Sequence, residues 1–266
     1  MSTREVVRRA GPARVVILGG TAEARELAAQ LQSWPAVCHV SSLAGRVKDP
    51  RLPVGEVRVG GFGGADGLAR WLVDERVEVV IDATHPYAER IRSASVQAAA
   101  ATGLPHLRLE RPGWTAQAGD RWLRVADFAA AASTMAEIGR RVFLTTGRQH
   151  LDAFMHLSDL WLLARVVDEP DGPVPANMEL VRDRGPFTVE SETELLTRHR
   201  IDVVVTKDSG GGYTAAKLVA ARRLCLPVII IDRPTPIAAP AVVSTVAEAL
   251  SWLDRAIRPS QDDHSG

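Results

Sequence analysis

Short β-branched runs alternate along this chain with longer Ala-, Leu- and Arg-rich stretches, the pattern of βα units building a parallel sheet. ARVVIL (13–18) predicts a first strand and AEARELAAQLQSW (22–34) the helix behind it. AVCHVSS (36–42), GEVRVG (55–60), VEVVIDA (77–83) and LPHLRLE (104–110) predict four more strands. Helices are expected over ADGLARWLVDE (65–75) and residues 88–102. Periodicity lapses around Pro112, Gly113 and Gly119, then restarts. DFAAAASTMAEIG (127–139) reads as a helix, RRVFLTT (140–146) as a strand, HLDAFMHL as a short helix and LWLLARVVD (160–168) as a strand. TVESETELLTRH is a further helix, followed by the strand IDVVVT (201–206), the helix TAAKLVAARRL (214–224), the strand PVIIID (227–232) and the helix STVAEALSWLDRAI (244–257). Two α/β domains are therefore expected, at 13–113 and 120–257, with loose tails at 1–12 and 258–266.

Charge narrows the function classes. Thirty-two Lys+Arg offset 32 Asp+Glu across 266 residues, so no overall field favours a nucleic-acid backbone, and no nucleic-acid role is expected. No apolar run approaches the roughly 20 residues that span a bilayer. The opening MSTREVVRRAGPAR carries positive charge with no apolar stretch behind it, so no secretory signal is read there. Only Cys38 and Cys225 occur, outside any metal-ligand spacing. The expectation is a cytoplasmic protein without disulfides, metal or membrane contact. Only three of the basic residues are lysines, Lys48, Lys207 and Lys217, and two of these share one Gly-rich segment.

Ligands of open parallel sheets bind outside the carboxyl ends of the strands, so the residues that follow each strand carry the candidate chemistry. After the first come Gly19, Gly20, Thr21 and Glu23. Two glycines permit close backbone approach and Thr21 can cap a helix whose N-terminus attracts phosphate, although a tight βα turn alone needs the same residues. The second strand leads to Gly45 and Arg46, with no carboxylate before Asp49. Arginine there favours the 2′-phosphate of NADP over the ribose of NAD, unless it is only a solvated side chain. Gly60 to Gly64 place four glycines in five residues around Phe62, a candidate anion-binding concavity. Thr84-His85-Pro86 ends the fourth strand; Pro86 keeps His85 out of helical geometry, leaving it as proton donor, ligand contact or structural residue.

In the second half, Thr145-Thr146-Gly147-Arg148, Lys207 to Gly212 and Asp232-Arg233 follow strands. No G-x-x-x-x-G-K-[ST] loop supports nucleotide hydrolysis. Tyr213 and Lys217 have the Tyr-x-x-x-Lys spacing of short-chain dehydrogenases, which would set both on one helix face, but that family's N-terminal glycine motif is missing.

Taken in order, GGTAEA, SSLAGR, VGGFGG, DATHPYA, LTTGRQHL and VTKDSGGGYTAAKLVAARRLCLPVIIIDRP resemble the precorrin-6A reductase family of cobalamin biosynthesis, over residues 14 to 255. The resemblance implies two Rossmann-like domains with parallel sheets, the first binding NADP, and a ligand cleft between them. It implies hydride transfer from NADPH to a macrocycle double bond of precorrin-6A, giving precorrin-6B. Carried over position by position, Gly19, Gly20, Thr21, Glu23, Gly45, Arg46, Gly61, Phe62, Gly63, Thr84, Ser209 and Gly210 are the expected cofactor residues. His85 and Lys207 are the expected catalytic residues. Precorrins are polycarboxylates, for which arginine is the natural partner. Arg90, Arg148, Lys217 and Arg233 are the expected substrate contacts, with Arg92, Arg108 and Arg111 as further strand-end candidates. Transient contact with neighbouring enzymes of the pathway is also expected. The alternatives are a cobalt-precorrin-6A reductase, a reductase using Tyr213, and a non-catalytic NADP-sensing module.

Overall fold

Alternate residues of Ala13–Leu18 (β1) divide between two apolar clusters: Val15 and Ile17 join one, Val16 and Leu18 the other. A strand buried on both faces belongs at the centre of a parallel sheet covered by helices on each side. The computed structural model, which describes residues 11–45, 51–235 and 237–258, places β1 there. Its neighbours are Val37–Leu43 (β2) and Val79–Asp82 (β4). Glu56–Val59 (β3) lies outside β2, and His106–Leu109 (β5) outside β4. Ala22–Leu31 (α1) covers one face, while Ala65–Asp74 (α2) and Glu89–Thr102 (α3) cover the other.

The sixth strand of this sheet comes from the far end of the chain. Val242–Val243 (β12) pairs parallel to β5, and the final helix Val246–Ile257 (α7) packs on α1. The full order is β12-β5-β4-β1-β2-β3. Val246, Ala249 and Leu253 of α7 share a cluster with Leu27 and Leu31 of α1. Burying each such leucine contributes about 1.5–3 kcal/mol. The first unit thus comprises the residues up to Arg111 and those from Ile237 onward. The expectation that the chain from 120 to 257 stays in one domain is corrected for this last helix. Sequence contiguity favoured the second unit, but the apolar stripe of α7 matches α1.

The second unit, Pro112–Pro236, repeats the arrangement. Its strands are Arg121–Val125 (β6), Arg141–Leu144 (β7), Trp161–Val166 (β8), Met178–Arg182 (β9), Val203–Lys207 (β10) and Pro227–Ile231 (β11). All are parallel, in the order β6-β11-β10-β7-β8-β9. Val189–Arg198 (α5) and Ala216–Arg223 (α6) share one apolar cluster, and Phe128–Ile138 (α4) packs on β10 and β11. Strand order reverses at β1/β4 in one sheet and at β7/β10 in the other, the positions where such sheets bind ligands. Among the described residues, no helix is long and apolar enough to cross a membrane.

Candidate functional site

In the first unit the expected residues follow four adjacent strands. Backbone bonds tie the ends together: the Gly19 N–H donates to the Ser42 carbonyl at 2.9 Å, Gly60 to Leu43 at 2.8 Å and Ala83 to Leu18 at 2.9 Å. Gly19, Gly20, Thr21, Glu23, Gly45, Gly61, Phe62, Gly63, Thr84 and His85 are therefore brought to one end of one sheet. Arg46 lies outside the described residues.

Thr21 caps α1. Its hydroxyl oxygen accepts from the Ala24 N–H at 3.1 Å while the hydroxyl donates to the Ala83 carbonyl at 2.8 Å. Glu23, in the first turn, pairs with Arg111 at 2.5 Å. At Gly20 a Cβ would meet nothing within 4 Å, and the same holds for Gly60, Gly61, Gly63 and Gly64. Bare backbone facing open space is what close approach to a phosphate requires. The glycine run has an organiser that motif reading missed. The Arg58 guanidinium donates to the Gly60 and Gly61 carbonyls at 2.6 and 2.8 Å and lies 3.9 Å from the Phe62 ring centroid. An arginine two residues before a glycine run was the available signal.

Beyond β4, a buried ionic network shapes the turn that carries His85. Asp82, 1% exposed, accepts from the Thr84 N–H at 3.1 Å and from its hydroxyl at 2.6 Å. Its other oxygen lies 3.4 Å from Arg108 Nε and 3.8 Å from Arg92 Nε. Arg92 also pairs with Glu110 and donates to the Pro86 carbonyl at 2.9 Å, while Arg108 donates to the Ile237 carbonyl. Arg92 and Arg108 are thus buried in the protein's own ion pairs, unlike the substrate contacts they were read as. The Tyr87 N–H donates to His85 Nδ1 at 3.4 Å, and the half-buried His85 ring lies against Tyr87. Arg90 is exposed on the first turn of α3. At the start of β5, burial lowers the His106 pKa; Asp82 opposes the fall and Arg108 adds to it.

In the second unit, Arg148 follows β7, Lys207 ends β10 with Ser209 and Gly210 just beyond it, and Arg233 follows β11. These strands are adjacent. Burial pushes the Lys207 ammonium down to about 8. Arg233 Nε donates to the Asp208 carbonyl at 2.9 Å, and Arg148 Nη1 donates to the Glu169 carbonyl at 3.1 Å. Asp208, to which motif reading gave no role, accepts from the Trp114 N–H and from Arg124 Nη2, each at 2.9 Å. Thr146, 1% exposed two residues beyond β7, has a hydroxyl without a hydrogen-bond partner among the described residues.

Lys217 is 5% exposed, and its ammonium donates to the Thr214 carbonyl at 2.7 Å. Burial pushes it down to about 7; Glu192 opposes the fall, while Arg165 and Lys207 deepen it. The dehydrogenase-like pairing with Tyr213 does not form. Tyr213 precedes α6, and its hydroxyl donates to the Gly185 carbonyl at 2.6 Å. The two side chains therefore do not share a helix face.

Residues 14–254 match the family model described as Precorrin-6x reductase CbiJ/CobK. A protein of Rhodococcus erythropolis named precorrin-6A reductase is 52% identical over 90% of this chain and 97% of its own length. The Mycobacterium tuberculosis protein of the same name is 49% identical over 90% and 97%. A cobalt-precorrin-6A reductase of Priestia megaterium is 31% identical over 83% and 90%. The solved structure titled CobK precorrin-6A reductase superimposes with a TM-score of 0.88 at 44% identity, covering 94% of this chain and 99% of that one.

Proposed function

Because the chain belongs to the precorrin-6x reductase family, we propose that it reduces precorrin-6A to precorrin-6B in cobalamin biosynthesis, with NADPH as reductant. The carrying observation is likeness over almost the whole length to proteins bearing that activity as their name. Greater similarity to these than to the cobalt-named relative favours a metal-free macrocycle as substrate. A cytoplasmic location and transient contact with neighbouring pathway enzymes belong to the same reading.

The residues fit the cofactor. Open backbone at Gly20 and at Gly60 to Gly64, together with the N-terminal end of α1, offers N–H groups to a pyrophosphate. Gly19, Gly20, Thr21, Glu23, Gly45, Gly61, Phe62, Gly63 and Thr84 would hold NADPH in the first unit, with Arg46 on its 2′-phosphate. Ser209 and Gly210 would hold it in the second. When bound, NADPH supplies the hydride for a macrocycle double bond. The chain's own residues orient the ligands and exclude misaligned encounters. Arg90, Arg148 and Arg233 provide positive charge for the substrate's carboxylates, whereas Lys217, expected as a fourth contact, is buried with its ammonium on the Thr214 carbonyl and supports the loop from within. One proton must accompany the hydride, and His85 and Lys207 are the candidate side chains to donate it, with solvent as the alternative source. With its pKa brought down to about 8, Lys207 is a stronger acid near neutrality than an ordinary lysine.

The test follows NADPH oxidation by absorbance on adding authenticated precorrin-6A. Turnover is expected; its absence favours a non-catalytic NADP-binding module. Arg46→Ala should raise KM for NADPH far more than for NADH. Equal changes remove the 2′-phosphate role.

A further inference from the structure

Pro112, Gly113 and Trp114 lie in a stretch without a motif, yet they pack along the loop that follows β10. Trp114 uses both of its N–H groups there. The backbone N–H donates to Asp208 Oδ1 at 2.9 Å, and the indole Nε1–H donates to the Gly211 carbonyl at 2.8 Å. Between these anchors Gly210, at φ +66°, comes so close to Pro112 that a Cβ would stand 2.1 Å from the Pro112 carbonyl oxygen. A Cβ on Gly113 would stand 2.6 Å from Asp208 Oδ2. The indole also carries Lys217, whose Nζ lies 4.8 Å from a ring centroid and donates to the Thr214 carbonyl.

A loop built this way needs outside bracing. Gly210 and Gly211 both have positive φ, +66° and +69°, and glycine loses more conformational freedom on ordering than any other residue. Asp208 is fixed by Trp114, Arg124 and Arg233. At Gly211 the indole N–H supplies the bracing.

We propose that Trp114 is a positioning residue, holding the turn from Asp208 to Gly211 in the shape in which Lys207 and Ser209 meet their ligand. The proposal rests on the reading, given above, of Lys207 to Gly210 as a ligand loop. If the indole bond keeps the competent shape dominant, its loss lowers the fraction of molecules ready to bind. Apparent affinity then falls in proportion, while saturating ligand restores the shape.

Trp114→Phe keeps an aromatic ring and removes the indole donor with its five-membered ring. KM for NADPH or for precorrin-6A should rise about tenfold, with kcat within about twofold and little change in the unfolding midpoint. Trp114→Ala, which also removes the ring, should raise KM further. Unchanged KM for both ligands in Trp114→Phe overturns the positioning role, whatever happens to the midpoint. Lys207→Ala is assayed in parallel. A loss there beside an unaffected Trp114→Phe overturns the bracing alone, whereas unchanged kinetics in Lys207→Ala overturn Lys207's place in the ligand site.

Discussion

The Thr21 hydroxyl stands 2.8 Å from the Ala83 carbonyl oxygen, joining the turn after β1 to the end of β4. The same oxygen caps α1 through Ala24, so one side chain fixes both walls of the first sheet's crossover point. Thr21→Val keeps the shape and removes both bonds. Cap loss costs about 1 kcal/mol, and the buried carbonyl loses a donor at a similar cost. Denaturant unfolding should show a loss of about 2 kcal/mol, and KM for NADPH should rise. Unchanged stability would mean that neither bond contributes.

Arg58 holds two consecutive glycine carbonyls. Arg58→Leu retains apolar contact with Phe62 but lets the Gly60–Gly64 run relax. We expect KM for NADPH to rise about 5–20-fold, the equivalent of one or two such bonds, with kcat nearly unchanged. Direct binding by calorimetry checks the result, and wild-type affinity would remove Arg58 from the loop's support.

Gly67 poses a contest of signs. It is the third residue of α2, and within a helix alanine is ordinarily favoured over glycine by up to about 1 kcal/mol. Here a Cβ would stand 1.7 Å from the Phe62 carbonyl oxygen, and backbone must move to admit it. Gly67→Ala should therefore destabilise by about 2–4 kcal/mol in urea unfolding. A stabilised variant would show that the turn before α2 yields freely.

Lys217 predicts a pH dependence. Its folded-state pKa of about 7 lies well below the roughly 10.4 of an unfolded lysine. Between these values the unfolded chain keeps a proton that the folded chain has released, so this contribution to stability rises with pH. Below about 7 both states are protonated and the contribution is flat. Lys217→Met should abolish this contribution, so that wild type gains about 2 kcal/mol on the variant between pH 7 and pH 9. Parallel curves in urea titrations would refute it.

Most interior strands were legible because β1, β4, β7, β8, β10 and β11 are each dominated by an apolar run. The missed strands, β6, β9 and β12, are all sheet edges. RWLRV and MELVR are largely exposed or half-buried, and β12 is two residues long, so none shows the apolar run of an interior strand. The glycine clusters after β1, β3 and β10 were legible as such. Their supports were not, because Arg58, Asp82 and Trp114 act through hydrogen bonds to backbone or to residues distant in sequence. The Trp114–Gly211 bond joins positions 97 residues apart, a separation over which local patterning carries no signal.

The origin of β12 and α7 sets an order for synthesis. Residues 112–236 form an uninterrupted unit that a growing chain can complete as soon as it leaves the ribosome. The unit made first must wait. Until the last helix emerges, β5 presents an unpaired edge and Leu27 and Leu31 lack their partners on α7. A premature stop after Pro234 would therefore damage the amino-terminal unit rather than the one it borders in the message.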